Sequence, residues 1–312
     1  MKMGWASIMI FSQKSHFFLT FDCDPILFDT SLKVYRDDGF DHLQESIPMS
    51  MNTLREASLL AGEEIKATFF IRNISTNQDG EIVSEPWEQF SELWQGLLND
   101  GHCLGLHPHI DNPLLSIEDS NYKKLSILLK NDFLKLSDLG ETARITRVGG
   151  HAYNQITVKL LNQNSIGLDS SAIPGRKLGN FENASDWRPI KNGLHRNWNY
   201  DRSATSVPKN ENHLTQIPMT TLESTTKPKY FRYLDFSFSS FEEFASPKPL
   251  FLTKNSFLVA ITHPSTLLED RYQSHKTLTF GKDNWLRNFV SFFKSFNALP
   301  TKLNFSLLRD IV

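Results

Sequence analysis

The apolar runs of this chain stop, one after another, at side chains that carry charge or bind metals. His16 to Phe21 (HFFLTF) ends at Asp22 and Asp24, Cys103 to His107 (CLGLH) runs into His107, His109 and Asp111, and Arg144 to Arg147 (RITR) ends in a guanidinium. Ile166 to Leu168 stops at Asp169, and Ser256 to Thr262 (SFLVAIT) stops at His263. A short apolar run bounded by polar residues is the pattern of a strand buried on both faces. In parallel barrels and open α/β sheets, the carboxyl ends of such strands are where sites are built.

Between these runs the spacing turns helical. Met51, Leu54, Ser58 and Ala61 share one face, with Gly62 as the expected stop, and Lys66 to Ile71 (KATFFI) follows as a further strand. Pro86 suits a first helical turn, Trp87, Phe90, Trp94 and Leu97 recur at three- and four-residue steps, and Gly101 closes that helix. Ser116 to Leu136 and Thr157 to Asn162 read as two more helices. The stripe Trp285, Phe289, Phe293 and Phe296 marks a late helix whose aromatics pack into the core. Alternating strand and helix predict parallel βα units, not an antiparallel sandwich.

Residues 174–228 break that rhythm, being rich in Asn, Arg, Ser, Thr, Pro and Trp, and read as a long functional loop region. The 312 residues fit a single catalytic domain, 1–312, since one α/β barrel commonly fills this length. With 39% hydrophobic and 22% charged residues the chain has material for a core and is not of the disordered class. A net charge of −2 with no basic run argues against nucleic acid as a partner. The apolar stretch Ala6 to Phe11 is short for a secretion signal, and no later stretch approaches the ~20 apolar residues of a membrane span. The expected location is cytoplasmic, with peripheral membrane association left open, and the oligomeric state is not legible.

Only two cysteines, Cys23 and Cys103, are present, so a metal here needs His and carboxylate ligands. In FDCDP, residues two apart on an extended chain point the same way, so Asp22 and Asp24 can share one site; a solvated turn would look the same. In GLHPHID, Pro108 favours an extended His107, which puts His107 and His109 on one face. Two imidazoles and a carboxylate make a common catalytic shell for zinc, with cobalt or nickel as alternatives. Arg147, in TRVGGHAYN, suits either pairing with a carboxylate or a surface ion pair, and His263 before Pro264 can serve as a proton donor near neutral pH.

In order, LTFDCDP, KATFFI, GHCLGLHPHID, RVGGHAYN, GLDSSAIPG and ITHP resemble the motifs of the polysaccharide deacetylase family, carbohydrate esterase family 4, over residues 16 to 265. The resemblance implies a distorted (β/α) barrel of seven or eight strands that removes an N-acyl group, N-acetyl above all, from an amino sugar with the help of one divalent ion. It implies Asp22 as catalytic base, Asp24 and His107 as metal ligands, Arg147 orienting the base and His263 as acid. The family's second histidine lies four residues after the first; that place holds Asp111, whose carboxylate can also bind zinc, and between the two His109 is the favoured third ligand, with Asp111 orienting a ligand imidazole. The D-x-D opening, and PGRK with Asp186, Trp187 and Arg188, resemble the branch acting on lipid-linked and surface-polysaccharide sugars. Trp187, Arg188 and Tyr200, with Trp198, are candidate substrate contacts, or core packing for the aromatics. Two other readings of the same residues are a non-catalytic carbohydrate-binding barrel and a hydrolase of another C–N bond, such as a formamide.

Overall fold

The computed structural model describes residues 14–25, 39–77, 80–110, 120–149, 153–177, 185–196, 213–223, 231–237, 257–268, 281–297 and 302–311. Its strands in chain order are β1 (Lys14–Cys23), β2 (Ala67–Ile71), β3 (Ile74–Thr76), β4 (Ile82–Ser84), β5 (Cys103–Leu106) and β6 (Ile145–Thr146). They continue as β7 (Leu168–Asp169), β8 (Thr215–Gln216), β9 (Thr221–Glu223), β10 (Phe231–Tyr233), β11 (Phe257–Thr262) and β12 (Lys302–Phe305). The helices are α1 (Leu43–Ala61), α2 (Ser91–Asn99), α3 (Ser120–Asp138), α4 (Gln155–Gln163) and α5 (Lys282–Asn297).

One parallel sheet runs in the order β11-β1-β2-β5-β6-β7-β8, with β12 paired beside the start of β1. It curls into a distorted barrel of parallel strands with helices outside. Among the described residues no ladder joins β8 to β11. The ring is completed there by separate hydrogen bonds: Thr220 N donates to Val259 O (3.0 Å), Val259 N to Thr220 Oγ1 (2.8 Å), Leu234 N to Thr220 O (2.7 Å) and Ile261 N to Leu234 O (2.9 Å).

The two-residue period of β1 sorts its side chains between two cores. Phe17, Leu19, Phe21 and Cys23 enter the layer between sheet and helices, while Phe18 enters a second cluster with Phe70, Cys103, Ile145, Leu168, Val259 and the C-terminal Leu307 and Leu308. That second cluster fills the barrel. Above it the side chains on the same faces turn polar: Thr20, Asp22, His107, Arg147 and Ser170, each at most 3% exposed. The outer layer buries Trp87, Trp94 and Trp285, whose indole N–H groups reach Asp132 Oδ1 (3.3 Å), Trp87 O (2.8 Å) and Thr262 Oγ1 (2.9 Å). Trp285 and Phe289 of α5 pack against Phe236, so these two residues of the aromatic stripe are core.

Some elements differ from the sequence reading. The first helix begins at Leu43, not near Met51, and carries Pro48 inside it; proline lacks the N–H and crowds the carbonyl four residues back, so sequence patterning starts a helix only after it. The helix after Pro86 opens with a 3₁₀ turn, Trp87–Phe90, before α2. The segment read as loop, 174–228, contributes β8 to the main sheet and β9 to a hairpin with β10. Two or three residues in register with a neighbour suffice for a strand but are too few to show a period.

His102, 4% exposed, accepts a hydrogen bond at Nδ1 from Ala67 N (3.1 Å) at the start of β2. Burial, with Lys66 nearby, pushes its pKa down to about 4. Between about pH 6.5 and 4 the unfolded chain therefore binds a proton here that the folded chain refuses, so stability falls as pH drops through that window. His102→Asn keeps an acceptor but cannot titrate. Urea unfolding at pH 7 and pH 4 should show the wild type losing more stability on acidification than the variant, by roughly 3 kcal/mol. Equal losses would mean that His102 is not the titrating group.

Candidate active site and metal centre

Register brings the strand exits together. His107 N bonds to Ile71 O (2.7 Å), Arg147 N to Leu106 O (2.9 Å) and Ser170 N to Thr146 O (2.8 Å), so each exit residue sits one step past its neighbour's last pair. A cavity of about 410 Å³ opens above them, lined among others by Asp22, Asp24, His107, His109, Arg147 and His263.

Asp24, His107 and His109 converge with one ligand atom each, all within 4.8 Å of one another. His107 Nε2 lies 3.0 Å from His109 Nε2, and Asp24 Oδ1 lies 3.5 and 3.2 Å from the two nitrogens. Four ligands at 2.0–2.1 Å from a zinc ion stand roughly 3.3 Å apart, so the trio has the spacing of one face of such a shell. His107 Nδ1 donates to Arg147 O (2.5 Å), which leaves the Nε2 lone pair facing the trio. These residues fit a divalent ion. Gly149 is bridged to His109, and a Cβ there would run into the His109 imidazole.

Charge reinforces the arrangement. Burial alone would raise Asp24, but the imidazoles of His109 and His107 hold its carboxyl well below the usual range. Burial works against protonation of both imidazoles; His107 is nevertheless raised by Asp22 and Asp24, while His109 is lowered, with His107 and Arg72 adding to burial. Two imidazoles this close do not both take a proton. Arg72 lies 3.4 Å from Asp24 Oδ1 and 3.8 Å from Glu85.

Asp22 and Arg147 form a second, fully buried unit. Arg147 Nη1 donates to Asp22 Oδ1 (2.7 Å) and to Thr20 Oγ1 (2.8 Å), Nε to Ser170 O (3.1 Å), and Nη2 to Ser170 Oγ (3.1 Å). Its guanidinium lies over the Phe70 ring at 4.3 Å. The other Asp22 oxygen is 3.7 Å from His107 Nε2, on the side of the trio. His263 Nε2 stands 3.5 Å from Asp24 Oδ2; burial opposes its protonation, but the hydrogen bond and charge of Asp24, with Asp22 and Asp235, raise its pKa to about 9.

The remaining candidates separate. Trp187 is 1% exposed, lines the cavity and packs on Tyr153 at 4.8 Å. Arg188 is exposed, ion-paired with Asp186 at 2.5 Å, and outside the cavity lining. Tyr200, Trp198 and Asp111 lie outside the described residues. Sequence reasoning missed two supports. Asp169, completely buried, accepts from Thr146, Ser171, Tyr153 and Gln216 and so ties four segments beneath the site. Asp235 is 1% exposed, its pKa raised by burial to about 6, and its charge acts on His263. The LDSS motif was the available signal for the first; Asp235 follows β10, too short to read.

No protein-family model and no curated protein matches the chain. Solved structures do. A crystal structure described as a candidate glycoside hydrolase/deacetylase from Parabacteroides distasonis aligns with TM-score 0.58 and 11% identity, over 96% of this chain and 70% of that one. One described as a candidate polysaccharide deacetylase from Mycobacterium smegmatis aligns with TM-score 0.54 and 12% identity, over 99% and 91%. At such identities the likeness is one of fold: the chain shares their distorted (β/α) barrel.

Gly149→Ala should push the His109 ring out of the trio. Zinc titration should then show affinity falling by at least the roughly 10–100-fold typical of disturbing a ligand's support, with the fold retained by circular dichroism. Unchanged affinity would take His109 out of the metal shell.

Proposed function

We propose that this protein is a metal-dependent carbohydrate N-deacylase, acting as an N-deacetylase on an amino sugar of a polysaccharide or glycoconjugate, with Asp24, His107 and His109 holding the ion. The observation that carries the reading is the pairing of the metal-ligand trio with a separate, buried Asp22–Arg147 unit beside it and His263 on the far side of Asp24. A site that only bound metal or sugar would need neither the second carboxylate nor the third imidazole.

A divalent ion there would polarise the acyl carbonyl and bring the pKa of bound water toward ~7. Asp22 accepts the proton of the attacking water through the oxygen that Arg147 does not hold. Arg147 fixes that carboxylate in direction, because its own hydrogen bonds to Thr20 and Ser170 leave it no room to turn. His263 delivers a proton to the nitrogen of the departing amine, a task its raised pKa suits at neutral pH. The resemblance of the D-x-D opening to the branch acting on lipid-linked and surface-polysaccharide sugars extends the proposal to that substrate group. Among the described residues no helix is long and apolar enough to cross a membrane.

Zinc-loaded protein incubated with N-acetyl and N-formyl amino sugars, free, nucleotide-linked and lipid-linked, should release the free amine from at least one, read by mass spectrometry. Chelation should abolish the reaction, and zinc, cobalt or nickel should restore it; full activity in metal-free protein would sink the proposal. Asp22→Asn should cost roughly 10²–10⁴ in rate with metal content nearly unchanged. A near wild-type rate for Asp22→Asn would make Asp22 structural.

A further inference from the structure

Arg176 lines the same cavity, yet among the described residues its guanidinium has no carboxylate partner. The other cationic groups of the lining face carboxylates: Arg147 holds Asp22, and His263 faces Asp24. The charge of Arg176 is felt instead at Tyr233, another wall of the cavity.

The mounting of Arg176 is rigid. Arg176 N bonds to Ile173 O (3.2 Å) across Pro174 and Gly175, and Gly175 has φ +80°. This is a type II turn, with proline at its second position and glycine where φ must be positive. The turn is pinned on its far side, since Gly175 N donates to Trp187 O (3.1 Å) and Trp187 N to Arg176 O (2.8 Å). The Phe231 ring of β10 lies so close to Gly175 that an added Cβ would come within 2.9 Å of it. A long cationic side chain is thus held at the cavity wall by its backbone, partly exposed.

A substrate that fills the cavity displaces solvent from the guanidinium. Removing it from an unpaired guanidinium is costly unless the ligand brings a charge of opposite sign. Arginine's planar fork matches the paired oxygens of a phosphate or carboxylate. We propose that Arg176 is an oxyanion-recognition residue and that the substrate is an anionic sugar, bearing a phosphate or a carboxylate beside the amide-bearing unit. The inference rests on the reading of the cavity as an amino-sugar site. It explains why a guanidinium stands apart from the Asp22, Asp24 and histidine chemistry in the same cavity.

The test is titration calorimetry at low salt on zinc-loaded protein with inorganic phosphate, glucuronate and glucose, for the wild type, Arg176→Gln and Arg176→Lys at matched zinc content. Phosphate or glucuronate should bind about 10–100-fold more weakly to Arg176→Gln, the loss of one charge-assisted pair. Arg176→Lys should fall between, and glucose should not distinguish the proteins. The anion that responds identifies the source, phosphate pointing to a nucleotide- or lipid-linked sugar and glucuronate to a uronic acid. An equal affinity of Arg176→Gln and wild type for both anions would overturn the proposal, as would a wild type that binds neither anion better than glucose. Arg176-dependent anion binding without release of amine from any N-acyl sugar would instead count against the deacylase reading alone.

Discussion

The Asp22–Arg147 ion pair is the constraint around which the barrel mouth is organised. Both side chains are almost fully buried, at 3% and 1% exposure, and stripping water from two such groups costs several kcal/mol per ion unless every donor and lone pair is answered. Here the answers come from different strands: Thr20 and Asp22 from β1, Ser170 from the end of β7, and the Phe70 face from β2. Arg147 also gives its backbone carbonyl to His107, so the residue that steadies the carboxylate sets the orientation of a candidate metal-ligand imidazole. The two chemical units of the site share one residue.

Much of this was legible because a strand has a period of two. Asp22 and Asp24 could be placed on one side, and His107 with His109, from spacing alone, and the structure brings the ligand atoms of Asp24, His107 and His109 together. Less legible was whatever depends on short elements or partners distant in sequence. The strand Thr215–Gln216 has two residues, and only its register with Leu168–Asp169 makes it part of the sheet. Asp235 follows a three-residue strand, and its influence on His263 needs both to arrive at the same mouth. Pro48 concealed the beginning of α1 because tertiary packing of Leu43 and Ile47 outweighs the local cost of proline in a helix.

Arg188 and Arg176 illustrate the same limit from the other direction. Both stand in the same polar segment, and composition does not separate them. The structure does: Arg188 closes a fork on Asp186 two residues away, whereas Arg176 is carried into the cavity wall by a turn. Among the described residues, local ion pairing, invisible in residue frequencies, is what sets the two guanidiniums apart.

The alternation along β1 also fixes the fate of the thiol between the two aspartates. Cys23 points away from the cavity into the outer core, wholly buried, and burial together with the charges of Asp22 and Asp24 pushes its pKa well above the ordinary value. A protonated sulfur sealed in the outer core neither competes for a soft metal nor meets peroxide or alkylating agents, because the reactive species is the exposed thiolate. The chain therefore carries a cysteine between its two aspartates whose thiol is withdrawn from the cavity they face.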